Sequence, residues 1–250
     1  MKVVVIIQAR TGSSRLPNKV LLPIEGKTVL EHIYLRLKYC KKIDEIVIAT
    51  SSDSSDKDIV NLCLKNNFKY FMGSLDDVLD RYYCTARHFK ADIIVRITGD
   101  CPVIDPIIVD EVISNFKNGN FDIYTLSGDF PDGLDCQVFS FKALEKSWKL
   151  ATLPSDREHV GAYIEKTKPE LFNIGGLNKF KNLSHHRWTL DEMSDYIFLK
   201  EIYSRLYKKK KIFLTDDILN LLKKEPHLNE INLGITRNEG YLQSLKEDNK

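Results

Sequence analysis

The chain opens on a short apolar run, residues 2–7, that passes directly into Gln-Ala-Arg-Thr-Gly-Ser-Ser-Arg-Leu-Pro-Asn-Lys, residues 8–19. A β-strand that empties into a Gly/Ser loop carrying Arg10, Arg15 and Lys19 presents free backbone N–H groups and fixed cations at one edge of a sheet. That arrangement suits a polyphosphate. The segment is not a Walker loop, because Asn18 precedes Lys19 and Val20 follows it, where that motif has Gly before the Lys and Ser or Thr after it. It is not a dinucleotide fingerprint either, since Gly12 stands without the two further spaced glycines.

The rest of the first half repeats the strand-then-helix rhythm. Residues 3–7, 45–50, 69–72 and 93–98 are β-branched or aromatic runs separated by helical patterns, which predicts an α/β fold with a mostly parallel sheet flanked by helices. Thr28 and Glu31 form a capping-box pattern ahead of Leu30, Ile33 and Leu37, and Ser74 and Asp77 repeat it ahead of Val78, Leu79, Tyr82 and Ala86. Asp105-Pro106 predicts a third helix start. Beyond Asn120 the pattern loosens into strands at 122–126 and 136–141 around a turn-rich stretch, 127–135, expected to line a pocket. A helix over 156–166, strands near 172 and at 187–190, and helices at 194–207 and 216–224 complete the expectation. The lysines at 208–211 read as a solvated helix terminus.

At 250 residues and 43% hydrophobic the chain is long enough for one sizeable core, so a single domain is expected. Within it, 1–120 forms a nucleotide-binding half, 121–207 an acceptor-binding and metal-completing half, and 208–250 a C-terminal helical tail. A formal charge of +2 is too close to neutral for a nucleic-acid binder. Cys40, Cys63, Cys84, Cys101 and Cys136 are scattered, with no Cys-x-x-Cys pair, which points to a reducing compartment rather than a disulfide or zinc framework. With no secretory h-region and no membrane-length apolar run, the expectation is a soluble cytoplasmic protein with no membrane partner.

Several residues are candidates for chemistry. Asp100 stands just past the end of the 93–98 strand, where open α/β sheets bind ligands, and there it suits Mg²⁺ as well as it suits a turn. Cys101 has no nearby His in sequence to activate it and reads as packing. Asp191 ends a strand-like run and serves equally as a helix cap or as a second metal ligand. Asp132 and Asp135, beside Gly133, suit sugar hydroxyls or an amine as well as turn chemistry. Ser155 and Glu158 fit a capping box, and His159 faces either pocket or core. Arg187, with His185 and His186, is placed to meet an anionic acceptor; adjacent histidines on a strand face opposite ways, which rules out a shared zinc there.

Gln8-Ala-Arg-x-Gly-Ser-Ser-Arg-Leu-Pro-x-Lys19, the Ala49-Thr50 strand end, Gly73-Ser-x-Asp-Asp-Val-Leu-Asp-Arg-Tyr82, Thr98-Gly-Asp-Cys-Pro102 and Thr189-Leu-Asp191 together resemble the CMP-sugar synthetase superfamily. Within it the chain is most similar to the spore-coat polysaccharide cytidylyltransferase-like branch, a relative of the CMP-KDO and CMP-sialic acid synthetases. The resemblance runs in order from Met1 to Tyr207. It implies a Rossmann-like nucleotide-diphospho-sugar transferase fold and a homodimer. Arg10, Arg15 and Lys19 would then bind triphosphate, with Gln8, Ala9 and Gly12 near the nucleotide. Thr50, Gly73 and Ser74 would line the base and ribose pocket, and Asp100 and Asp191 would be the metal ligands. The stretches 131–135 and 157–160 follow this branch rather than the KDO and sialic acid enzymes, so Asp132, Asp135, His159 and Arg187 are its acceptor-binding candidates.

The expected reaction is Mg²⁺-dependent: an acceptor oxygen of a sugar acid or of a phosphate- or phosphonate-bearing molecule attacks the α-phosphate of CTP and releases pyrophosphate, in surface-glycan biosynthesis. Arg10, Lys19 and Asp100 are the residues expected to act on the reacting groups. Two alternatives stand beside it: a glycosyltransferase that uses a nucleotide-sugar donor, disfavoured by the missing Asp-x-Asp motif at Asp100, and a non-catalytic nucleotide-binding module.

Overall fold

In the computed structural model, which describes residues 1–208, 212–235, 237 and 239–248, strands and helices alternate from the first residues onward. β1 (Val3–Gln8) leads through the basic loop to two short strands, β2 (Pro23–Ile24) and β3 (Lys27–Thr28), and into α1 (Val29–Leu37). There follow β4 (Glu45–Ser51), α2 (Lys57–Asn66), β5 (Lys69–Gly73), α3 (Val78–His88), β6 (Ile93–Thr98) and α4 (Pro106–Asn118). The second half adds β7 (Ile123–Gly128), β8 (Gln137–Ser140), α5 (Phe141–Leu150), α6 (Pro154–Glu158) and β9 (Ile174–Phe180), then α7 (Met193–Leu206), α8 (Thr215–Lys224) and α9 (Glu239–Glu247).

The main sheet has the order β5-β4-β1-β6-β8-β7-β9. β8 runs antiparallel to both of its neighbours, while the other pairings in this sheet are parallel. After β1 the chain moves outward through β4 and β5, then returns to place β6 on the other side of β1. This reversal opens a crevice at the carboxyl ends of β1 and β6, where a ligand can approach backbone on both sides.

Both faces of the sheet are covered, and the strand alternation shows it. Val3, Val5 and Ile7 join one buried cluster with α1, α4 and α7, whereas Val4 and Ile6 join a second with α3 and α5. Parallel strands buried on both faces read as continuous apolar runs, which is why β1 and β6 are conspicuous in the sequence. Gly99, just beyond β6, lets that strand end close onto β1: a Cβ there would lie 2.7 Å from the Gln8 carbonyl oxygen.

The Thr28–Glu31 capping box forms as expected, and Asp105 caps α4 ahead of Pro106. Asp105 also accepts hydrogen bonds from the Thr215 backbone and hydroxyl, fastening the start of α8 to the start of α4. Other local expectations are corrected. Asp77, not Ser74, caps α3, and the Ser74 hydroxyl accepts from the Asp77 N–H one turn earlier. The helix expected over 156–166 is two pieces, α6 and a π-helical turn at Tyr163–Thr167, because the backbone leaves helical geometry at His159. Pro154 opens α6 with Leu153 as its cap residue, so Ser155 and Glu158 form no capping box. The 187–190 strand is a single bridge between Asp132 and Arg187. Of the 208–211 lysine run, 209–211 lie outside the described residues. No described helix is long and apolar enough to cross a membrane.

Candidate active site

A cavity of about 710 Å³ lies over the β1–β6 crevice. Gln8, Ala9, Arg10, Gly12, Arg15 and Lys19 line one side of it, so the loop after β1 is its wall. That loop is held in place by the fully buried carboxylate of Asp56. It accepts from the Thr11 N–H at 2.7 Å and hydroxyl at 2.8 Å, and from the Ser51 N–H and hydroxyl at the end of β4. A buried charge saturated by four donors fixes the backbone on either side of it.

Lys19 is the focus of the charged network. Its Nζ donates to Asp100 at 2.8 Å and to Asp191 at 2.7 Å, so two carboxylates 91 residues apart converge on one cation position. Arg15 adds a contact to Asp191 at 3.2 Å. Burial alone would raise the Asp100 carboxyl, but the Lys19 ammonium and the Thr98 hydroxyl hold it down at about 2. Burial in turn opposes the charge on Lys19, and the two carboxylates overcome it and raise the ammonium above its usual value. Asp191 is not the cap of α7. Glu192 takes that position, and the Asp195 carboxylate receives the N–H groups of both Asp191 and Glu192.

Behind these carboxylates Arg187 is a clamp. Its fork reaches Asp195 at 2.9 and 3.0 Å, Asp191 at 3.0 Å and Asp132 at 3.1 Å, and it is nearly buried. It is not among the residues that line the cavity; it orients Asp132 and Asp191, which are. Gly133 adopts φ +102°, and a Cβ there would lie 2.6 Å from backbone atoms of Trp188 and Thr189, so glycine is required for this loop to lie against the Arg187 segment.

Asp132, Asp135 and His159 also line the cavity, and Asp132 shares Arg187 with Asp191. Burial pushes the Asp132 carboxyl up to about 7, reinforced by the charge of Asp135 and opposed by Arg237 and Arg187. Arg187 is shared among three carboxylates and Arg237 stands 3.8 Å away, so the two cations do not offset the burial of Asp132. Asp132 therefore holds its proton more tightly in the folded than in the unfolded chain. The stability it contributes is whole below about pH 4 and is lost as pH rises through its folded value. Asp132→Asn, which cannot ionise, should gain on the wild type by about 1 kcal/mol or more between pH 5 and pH 8 in urea titrations. A stability difference that is constant across that range would contradict the assignment.

Burial lowers the pKa of His159, whose Nε2 donates to the Ser244 hydroxyl (3.0 Å) and whose ring meets the edge of the Tyr241 ring. Ser244 also donates to Glu158 at 2.6 Å, and Glu239 takes a 2.8 Å bond from Arg15. Through these contacts α9 roofs the cavity, bringing Glu239, Tyr241 and Gln243 to its lining. The sequence reading treated this tail as a helical appendage and did not name its residues.

Thr50, Gly73 and Ser74 are not among the residues that line the cavity. Thr50 is fully buried with its hydroxyl unpaired, and Gly73 and Ser74 reach the cavity only through Arg81, which packs on Gly73 and donates to the Ser74 carbonyl. Arg81 and Arg96 also line the cavity and were not singled out; the signal for Arg96 is a basic residue in the otherwise apolar run of β6. Cys101 is buried and bonded to the Thr98 hydroxyl at 3.2 Å, with its thiol pushed well up by burial, which suits packing and not nucleophilic attack. The rings of His185 and His186 meet at a tilt of 39° and are not among the residues lining the cavity.

An open α/β sheet whose switch point carries a basic loop and two converging carboxylates defines a nucleotide-handling enzyme. The family model for cytidylyltransferases matches residues 4–233, and the chain belongs to that nucleotidyltransferase family, in its spore-coat-polysaccharide-like branch. It is 32% identical over 229 residues to the spore coat polysaccharide biosynthesis protein SpsF of Bacillus subtilis, covering 88% of this chain and 94% of that one. It is 36% identical over 139 residues to an 8-amino-3,8-dideoxy-manno-octulosonate cytidylyltransferase of Shewanella frigidimarina, covering 53% of this chain and 55% of that one. A solved cytidylyltransferase from Leptospira borgpetersenii superposes with a TM-score of 0.88 at 34% identity, covering 95% of this chain and all of that one. The mixed, mostly parallel sheet expected from the sequence is the fold found. Membership also sets aside the glycosyltransferase and non-catalytic alternatives.

Proposed function

We propose that the protein transfers CMP from CTP to the hydroxyl of a sugar acid, releasing pyrophosphate and forming a CMP-sugar for glycan biosynthesis. The observation that carries this reading is the convergence of Asp100 and Asp191 on Lys19 beside the Arg10–Arg15 loop. Arg10, Arg15 and Lys19 hold the β- and γ-phosphates, and their charges stabilise pyrophosphate as it leaves. These cations meet Glu158, Glu239, Asp100 and Asp191, so triphosphate binding exchanges internal carboxylates for phosphate oxygens. Asp132, Asp135 and His159 orient the acceptor, and most of the rate comes from that positioning.

Among the described residues no cluster of three or more His, Cys, Asp or Glu side chains could hold a metal alone. Two carboxylate oxygens that converge on a cation nevertheless fit Mg²⁺, which takes one or two carboxylates and completes its shell with substrate phosphates and water. Asp100 and Asp191 would hold it, and it would supply charge neutralisation to the phosphates.

The test is a pyrophosphate-release screen crossing the four nucleoside triphosphates with sugar acids, phosphosugars and neutral sugars. The reading expects release with CTP and an acid; no release with CTP and any acid, or release only with a neutral sugar or another triphosphate, would overturn it. In calorimetry Lys19→Ala should bind CTP about tenfold or more weakly while remaining folded, since a charge-assisted phosphate contact is lost. Undiminished CTP affinity would remove Lys19 from the triphosphate site.

A further inference from the structure

The floor of the cavity is built by a change of character along one face of the sheet. On that face Val4 and Ile6 of β1, Ile94 of β6 and Phe139 of β8 are buried and apolar; one alternation further toward the cavity come Gln8, Arg96 and Gln137. Arg96 pairs in register with Gln137 across β6 and β8. Its Nε donates to Gln8 Oε1 at 3.2 Å and its Nη1 to Gln137 Oε1 at 2.8 Å, with the Tyr82 hydroxyl beside it. These three partners are neutral.

That neutrality distinguishes Arg96 from the loop cations. Arg10, Arg15 and Lys19 each meet a carboxylate, whereas Arg96 makes no ion pair among the described residues. Arg81 makes none either, but its Nη1 faces the Ser74 and Leu75 carbonyls on the β5 side of the cavity. The Glu165 carboxylate, which feels the charge of Arg96, is bonded instead to the Gln137 amide NH₂. Two glutamines thus hold a guanidinium in a fixed plane and leave its charge for something that enters the cavity. A planar fork fixed in this way matches a carboxylate through two parallel N–H···O bonds.

Position ties this group to the acceptor candidates. Arg96 lies two residues before the end of β6, and its β8 partner Gln137 is bonded to Glu165, which feels the charge of Asp135. We infer that Arg96, held by Gln8 and Gln137, binds the carboxylate of the acceptor and determines that this enzyme selects an acid over a neutral sugar. The inference rests on the proposed cytidylyl transfer, because it takes the acceptor side of that reaction as given.

The experiment measures pyrophosphate release from CTP with 3-deoxy-manno-octulosonate and 8-amino-3,8-dideoxy-manno-octulosonate, each beside its carboxamide, for wild type, Arg96→Gln and Arg96→Lys. Wild type should prefer acid to amide by about tenfold or more in kcat/KM. Arg96→Gln should lose that preference through a raised acceptor KM with the KM for CTP nearly unchanged, and Arg96→Lys should retain part of it. Arg96→Lys keeps the charge and carries the test if Arg96→Gln does not fold. An unchanged acid preference in both variants overturns the inference, as does a parallel rise in the KM for CTP. So does wild-type turnover confined to the amides, or no turnover with either acid while CTP binds. Failure of the wild type to bind CTP in calorimetry overturns the proposed function instead, so the two failures are separable.

Discussion

Asp100→Asn should lower turnover by about a hundredfold or more while leaving the protein folded, an effect of the size seen when one group that stabilises transition-state charge is removed. The side chain keeps its shape but loses the anionic oxygen that meets Lys19 at 2.8 Å and that converges with Asp191 on the same point. Its low-lying carboxyl, held at about 2, means that the wild-type group is fully charged at neutral pH, so the substitution removes a whole charge. Circular dichroism and a thermal melt close to wild type would assign the loss to chemistry. Mn²⁺ binding in the CTP complex should weaken in parallel, a readout independent of turnover. Wild-type turnover in the variant would remove Asp100 from the reacting centre.

The second large effect is on stability. Arg187→Met should destabilise the fold by about 3–5 kcal/mol in urea titrations at neutral pH, because removing one partner of a buried ion pair leaves the others uncompensated. Asp195 is fully buried and takes two of its bonds from Arg187; Asp132 and Asp191 lose the same guanidinium. Turnover should fall as well, since Asp191 loses the contact that aims it at Lys19. A loss under about 1 kcal/mol is the value of a solvent-exposed pair and would contradict the clamp.

What the sequence made legible follows from how local each signal is. β1, β4, β5 and β6 are apolar runs bounded by turn chemistry, and the loop after β1 is contiguous, so strand, loop and Arg10, Arg15 and Lys19 could be read together. Asp100 was legible because a strand end in such a sheet is a ligand position. Asp191 could not be told from a helix cap, because the deciding residue, Asp195, lies one turn further on and takes over the cap's hydrogen bonds. Arg187 looked like an acceptor contact because nothing local shows that three carboxylates surround it. Arg96 and the α9 roof were invisible for a related reason. Each depends on register or packing between segments far apart in sequence, Arg96 beside Gln137 and Glu239 beside Arg15. The break in the helix after Glu158 likewise follows from tertiary contacts: Arg157 grips Asp77 at the start of α3, and Ser155 is fixed by Asp248.

The central claim is that the α-phosphate of CTP is the atom attacked and pyrophosphate the group that leaves. CTP labelled in separate experiments at the α- and the γ-phosphorus, incubated with enzyme, Mg²⁺ and a productive sugar acid, tests it directly. The account predicts that the α-label appears in a new acceptor-linked product and the γ-label in pyrophosphate, in equal amounts. Release of the γ-label as orthophosphate, or an α-label that never joins the acceptor, would contradict it.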